Sequence, residues 1–474
     1  MKSSALRLVI ALIPFLLVSA RAQNNVDEAQ GLRPYDSFHG GDLDSVSLTN
    51  GALALHIPLL SYPQRGNLDL SFSIVFSSKQ WTVATKCTDN GSGNPICTSK
   101  WEPLPRGGRP PLRVNPNINS PLTGAFIASS TDWYLQSYFD SSTPQWSRSF
   151  MSPDGNVHSV GSSFDIGFQY PMRSLDGTGL LHQDANTLIL PNGVRYSYVN
   201  STLTQPGLWP TSVTDPNGNQ ITITPSAWTD TMGRVIPASG NAPGISTADL
   251  SACPAGTVSA RVWDVPGYTP VSSTRRFTFC YSNFSIFTSF GMQGVEEYPA
   301  TSTALLSAVV LPDGTEWTLA YDNYGDVTRL GFPTGGSISY TYGNGSIACG
   351  TDTVSKSWWV KSRAVDANDG TGPHTWQYNY AGQVSGSPEV YSGTAKVTAP
   401  DGNDTVHTIT SPVPGAYCSL YDTQVQYYQG SSGGKRGQPE LSNFSCTIVA
   451  HATAQPMCVT GRTLSHHAAG RRPL

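Results

Sequence analysis

The chain has 474 residues, of which only 13% are charged, and its formal net charge is −4. A globular average is near 25% charged, and so sparse a charge with no basic patch leaves nucleic acid and anionic membrane surfaces without support as partners. Its 46 Gly, 35 Pro, 21 Tyr and 11 Trp, with much Thr, Ser and Val, disfavour helices and suit strands joined by tight turns.

Residues 1–22 read as a secretory signal peptide: Lys2 and Arg7, an apolar run from Leu8 to Val18, then Ala20-Arg21-Ala22, with cleavage after Ala22. The run is too short to span a bilayer, which takes about 20 residues. No Cys stands at the cleavage point for lipid attachment, and no later segment is a membrane span. The expected location is therefore secreted or cell-surface. Eight cysteines suit disulfides in such a compartment. Cys87 and Cys97 flank a Gly-, Asn- and Pro-rich segment, and a bridge there stabilises by about 2–3 kcal/mol in the chain-entropy account. Cys253 with Cys280, and Cys349 with Cys418, are further candidate pairs. No Cys-x-x-Cys pair points to zinc, and no metal or cofactor is expected.

Residues 23–34 read as a flexible lead-in, and 35–145 as an N-terminal β region. Asn50-Gly51 is a hairpin signal, because both residues tolerate positive φ. Leu53, Leu55 and Ile57 then alternate, Tyr62-Pro63-Gln64-Arg65-Gly66-Asn67 turns the chain, and Leu68, Leu70, Phe72, Ile74 and Phe76 follow with period two. That predicts a three-strand meander with one apolar face. Residues near 85–123 carry many Pro, Gly and Asn and are expected to form a long loop. Asp132-Trp133-Tyr134-Leu135 resumes strand-like sequence.

From 146 to 430 a punctuation mark recurs. Pro153-Asp154-Gly155, Pro191-Asn192-Gly193, Pro216-Asn217-Gly218, Pro312-Asp313-Gly314 and Pro400-Asp401-Gly402 each combine a preset φ, a side chain that bonds nearby backbone, and a glycine for the left-handed position. Alternating apolar residues follow most of them: Val194, Tyr196 and Tyr198, then Ile221 and Ile223. The clearest unit spans 311–342. Trp317, Leu319 and Tyr321 share a strand face, Asp322-Asn323-Tyr324-Gly325 fits a type I turn, and Val327 to Leu330 returns. Phe332-Pro333-Thr334-Gly335 turns again before Ile338, Tyr340 and Tyr342. A two-strand period of about 21 residues is a repeat signature.

Tyr321-Asp322-x-x-Gly325 followed by Pro333-x-Gly335 and Tyr340-x-Tyr342 resembles one YD repeat of the RHS family. Trp376-Gln377-Tyr378-Asn379-Tyr380-Ala381-Gly382 is a degenerate copy, with Asn379 in place of Asp. Thr214-Asp215-Pro216-Asn217-Gly218-Asn219 is another, without the Tyr. The block from Tyr35 to Phe76 is similar to the entry region of exported RHS-type proteins. The resemblance covers about residues 35 to 430, with one clean repeat. It implies an all-β fold, an extended antiparallel sheet of repeated hairpins that curls into a hollow shell, and a role in enclosing a C-terminal toxin or in surface contact. An incomplete shell is expected to self-associate through its sheet edges.

The tail, 431–474, departs from this pattern: it has no Asp, Tyr or Trp, and it is basic through Lys435, Arg436, Arg462, Arg471 and Arg472. A disordered basic end, a small C-terminal effector and out-of-frame sequence after a truncation remain open as readings. His466-His467 with Cys446 and Cys458 match no metal-ligand spacing.

No nucleophile elbow, His-Glu-x-x-His or phosphate loop occurs. Glu296-Glu297 is a conceivable glycosidase acid, but such an enzyme needs a second carboxylate at a defined separation, and a solvated strand edge explains the pair more simply. Asp322 is expected to cap its own turn. The aromatic residues are expected to line buried and cross-strand faces; the competing reading is a sugar-stacking surface that includes Trp358 or Trp359. The expectation is a structural or interaction protein with no catalytic residues, with a carbohydrate-binding protein and a polysaccharide-active enzyme using Glu297 or Asp322 as alternatives.

Overall fold

The computed structural model describes residues 29–34, 36–88, 96–104, 122, 124–140, 145–163, 168–199, 207–238, 245–247, 249–268, 274–345, 357–385, 390–411, 420–433, 439–440, 443–449 and 457–463. The expected signal peptide lies outside them, as do Cys349 and Cys418. The fold is all-β and antiparallel but for one short pairing, with no α-helix and no sheet closed into a barrel among the described residues.

Strands Asp44–Ser47, Leu53–Tyr62 and Leu70–Ser77 form the meander that the alternation predicts. Phe38–Gly40 is added at one edge and Phe126–Ser129 at the other. Leu53, Leu55, Ile57, Leu70, Phe72, Ile74 and Phe76 are all buried. At Asn50-Gly51 the chain turns with Gly51 at φ +63, where the Trp359 side chain leaves no room for a Cβ. Beyond this sheet, an eight-stranded sheet runs from Met172–Arg173 to Val235–Pro237, and a thirteen-stranded sheet from Ile245–Thr247 to Pro439–Glu440. The strands of the long sheet follow chain order, with only Val295–Glu296 left out. Every pairing in it is therefore between near neighbours in sequence.

One turn geometry recurs in both sheets and in a separate four-stranded sheet, where it joins Gln145–Met151 to Val157–Ser163. In turns 152–156, 190–194, 215–219, 230–234, 311–315, 322–326, 332–336 and 399–403, the fourth residue is Gly and donates its N–H to the first residue's carbonyl. The first residue's N–H in turn donates to the carbonyl of the fifth. The glycines lie at φ between +79 and +91. This is a type I turn closed by a glycine bulge, whose twist suits a hairpin. Where Asp comes first, as at Asp215, Asp230 and Asp322, its Oδ1 accepts the N–H groups of the third and fifth residues. Where the third residue is Asn192, Asp313 or Asp401, its side chain accepts the fifth residue's N–H instead. The turn at Asp230-Thr231-Met232-Gly233 has no proline, and its Asp-x-x-Gly spacing was the signal that would have found it.

The N-terminal sheet lies across the other two. Phe72 meets Trp228 of the eight-stranded sheet and Trp263 of the long sheet edge-on, with ring centroids 5.1 and 5.0 Å apart. The turn after Tyr62 docks on the Asp-first turns: Arg234 donates to the Pro63 carbonyl at 2.7 Å, and Asn67 N–H donates to Asp215 at 3.3 Å.

The loop expected near 85–123 contains a strand. Ile96–Pro103 pairs residue for residue with Trp81–Thr88, and Cys87 stands opposite Cys97, disulfide-bonded to it. Gly-, Asn- and Pro-rich stretches flank this strand at 89–95 and 105–121, both outside the described residues, and the bond fixes the strand's register. Cys253 and Cys280 are bonded as well. Part of the tail is paired too, with Asn443–Val449 antiparallel to Met457–Thr463.

Candidate functional site

The signature residues shape two turns at opposite ends of the strand Val327–Gly331. In the first, Tyr321 donates its hydroxyl to the Leu306 carbonyl at 2.8 Å, and its ring meets Phe76 and Phe284 edge-on. Asp322 Oδ1 accepts Tyr324 N–H at 2.8 Å and Asp326 N–H at 2.9 Å, and Oδ2 accepts Trp358 Nε1–H at 3.3 Å. A Cβ on Gly325 would collide with Leu122. In the second turn Gly335 stands at φ +91 behind Pro333 and donates to the Phe332 carbonyl at 2.9 Å. Asp322 thus serves as a turn cap. Burial nonetheless pushes its carboxyl above the ordinary range, against the pull of its N–H partners.

Around the first turn the fold gathers side chains that sequence spacing keeps far apart. Trp358 stacks on Tyr324 with centroids 4.4 Å apart, and Phe290 packs on Tyr324 at 4.9 Å and on Trp101 at 4.1 Å. Trp81 donates Nε1–H to the Tyr324 carbonyl at 2.8 Å. Glu297 lies close enough, with Asp322 and Asp326, to help burial raise the Tyr324 phenol. Glu297, Asp322 and Trp358, the residues weighed for sugar chemistry, therefore do converge. Asp322 is engaged by three donors of the fold itself, whereas Glu297 Oε1 accepts Gly291 N–H at 2.7 Å and its buried Oε2 has no partner. Val295–Glu296 runs as a short parallel strand beside Ser99–Lys100.

Trp359, named with Trp358 as a stacking surface, is instead buried at 3% exposure. It stands edge-on to Tyr380 at 4.8 Å and beneath the Lys79 ammonium. The strand alternation that leaves Trp358 half-exposed turns its neighbour into the core.

A second polar group joins distant parts of the chain. Ser37 Oγ–H donates to Asp422 Oδ2 at 2.9 Å, and His407 Nδ1 bonds the same oxygen. A nucleophilic triad needs His between the hydroxyl and the carboxylate. Here the carboxylate stands in the middle, so the Ser37 hydroxyl gives its proton to an acceptor that cannot relay it. Among the described residues no cluster of His, Cys, Asp and Glu has the arrangement of a metal site. A shallow recess at the far end of the long sheet is lined by Asn403, Asp404, Thr405, Tyr427, Tyr428 and Gln429.

No protein-family model matches the chain, and no curated protein matches it in sequence.

Proposed function

We propose that the chain is the N-terminal part of an RHS-type β shell, a secreted or cell-surface structural or interaction protein without catalysis of its own. The observation that carries this reading is the long sheet. Its strands follow chain order, one glycine-bulge turn recurs along it, and the YD-like turn at Tyr321–Gly325 is locked against the N-terminal sheet. Two disulfides suit an oxidising compartment. No helix among the described residues is long and apolar enough to cross a membrane.

An open sheet of this kind has two edges with unpaired N–H and C=O groups, which invite pairing with another chain. Light scattering coupled to size-exclusion chromatography is expected to show association that increases with protein concentration. A strict monomer over a wide concentration range contradicts the shell-fragment reading. Carbohydrate binding is the second reading, favoured by the recess beside Tyr427, a residue 46% exposed. A strict monomer that is retained on immobilised polysaccharide selects it instead.

A further inference from the structure

The contact between the Tyr321–Asp326 turn and the N-terminal sheet contains two buried acceptors that face no donor. Asp326 is fully buried, and its Oδ2 has no hydrogen-bond partner. Gln80, 3% exposed, donates Nε2–H to the Gly325 carbonyl at 2.8 Å and more weakly to Asp326 Oδ1 at 3.4 Å, while its own Oε1 has no partner. Turning the amide over does not help, because the Gly325 carbonyl requires the N–H side. A buried polar atom without a partner is destabilising by about 1–3 kcal/mol, and two in one contact need an explanation.

A single proton supplies it. An ionised carboxylate only accepts, whereas a protonated one carries an O–H donor. The acid and the amide then form a reciprocal pair, Nε2–H to Oδ1 on one side and Oδ2–H to Oε1 on the other. We propose that Asp326 is a neutral carboxylic acid in the folded protein, and that its proton latches the Tyr321–Asp326 turn onto Gln80 of the N-terminal segment. Deprotonation opens the latch.

The surroundings favour the neutral form. Burial dominates, and the Asp322 carboxyl in the same turn acts in the same direction. Two weaker influences oppose it: the N–H that Gln80 donates to the carboxyl and, smaller still, the charge of the neighbouring Lys79. The Tyr324 and Tyr342 hydroxyls complete the titratable groups facing the site, and both are held protonated by burial.

The sign follows from linkage. Between the unfolded Asp value near 4 and the raised folded value, the folded chain keeps a proton that the unfolded chain releases, so stability falls as pH rises through that window. Asp326→Asn keeps the shape and donates from Nδ2 without titrating. Between about pH 5 and about pH 9, the unfolding constant of the native protein is expected to rise about tenfold or more relative to Asp326→Asn. Parallel pH profiles for the two proteins would overturn the proposal. Infrared spectroscopy gives a second readout: at about pH 6 the native protein is expected to show a protonated-carboxyl stretch that Asp326→Asn lacks. Its absence there would also overturn the proposal.

Discussion

Replacing Arg363 by Met is expected to destabilise the fold by about 3–5 kcal/mol, the range for breaking a buried ion pair from one side. Arg363 Nε and Nη2 grip Asp44 at 2.5 and 2.8 Å, with side-chain exposures of 7% and 1%. Tyr340 donates its hydroxyl to the same carboxylate at 2.8 Å, Gly41 donates its N–H at 3.1 Å, and the guanidinium lies 5.2 Å from the Trp376 ring. Removing Arg363 leaves a buried carboxylate with two neutral donors, too few to offset its lost hydration. Most of the loss therefore comes from the stranded charge rather than from the value of the pair. The double variant Asp44→Leu/Arg363→Met is accordingly expected to recover more than half of it, because apolar groups of similar size replace buried pairs at little net change. Urea denaturation of the single and double variants measures both. A loss under about 1 kcal/mol in the single variant contradicts the account of this contact.

Acid is expected to weaken the protein through His182. Its ring is fully buried between Phe150 and Tyr170, with both nitrogens lacking a partner. Burial, aided by the nearby Arg148 charge, lowers its pKa from 6.5 to about 4. The folded state holds the neutral ring and the unfolded state takes up the proton first. The stability contributed by His182 is thus fully present above pH 6.5 and is lost as the pH falls toward 4. Two to three pKa units correspond to roughly 3 kcal/mol. His182→Phe suits the aromatic surroundings and removes an unsatisfied donor and acceptor. It is expected to raise stability at neutral pH by about 1 kcal/mol and to flatten the loss between pH 6.5 and 4. Asp176, held down to about 2 by its bonds to His158 and Thr178 against the penalty of burial, leaves a separate loss below pH 3.8. An unchanged acid limb in His182→Phe would remove His182 from the account.

What was legible in the sequence was local. The Pro-[Asp/Asn]-Gly turns, the alternation of Leu53, Leu55 and Ile57, and the closely spaced Cys87 and Cys97 announce themselves because the interactions they encode span a few residues. The strand Ile96–Pro103 was hidden by the Gly-, Asn- and Pro-rich composition of the sequence on either side of it. What joins the sheets was not legible. Asp44 and Arg363 lie 319 positions apart, Ser37 and Asp422 lie 385 apart, and Gln80 reaches Gly325 across 245. A buried Asp at position 44 and a buried Arg at 363 look like ordinary surface charges until the fold brings them together. The burial of Trp359 likewise depends on Gly51, a residue of another sheet.

The central claim is that the N-terminal sheet and the long sheet share one core and stand or fall together. Hydrogen exchange resolved by residue tests it most directly. The amides of Leu53–Tyr62 and Leu70–Ser77 are expected to exchange through the same opening as those of Glu316–Tyr321 and Ser337–Gly345. Both sets are then expected to lose protection together in Arg363→Met. N-terminal strands that open alone, while the long sheet keeps its full protection, would contradict it.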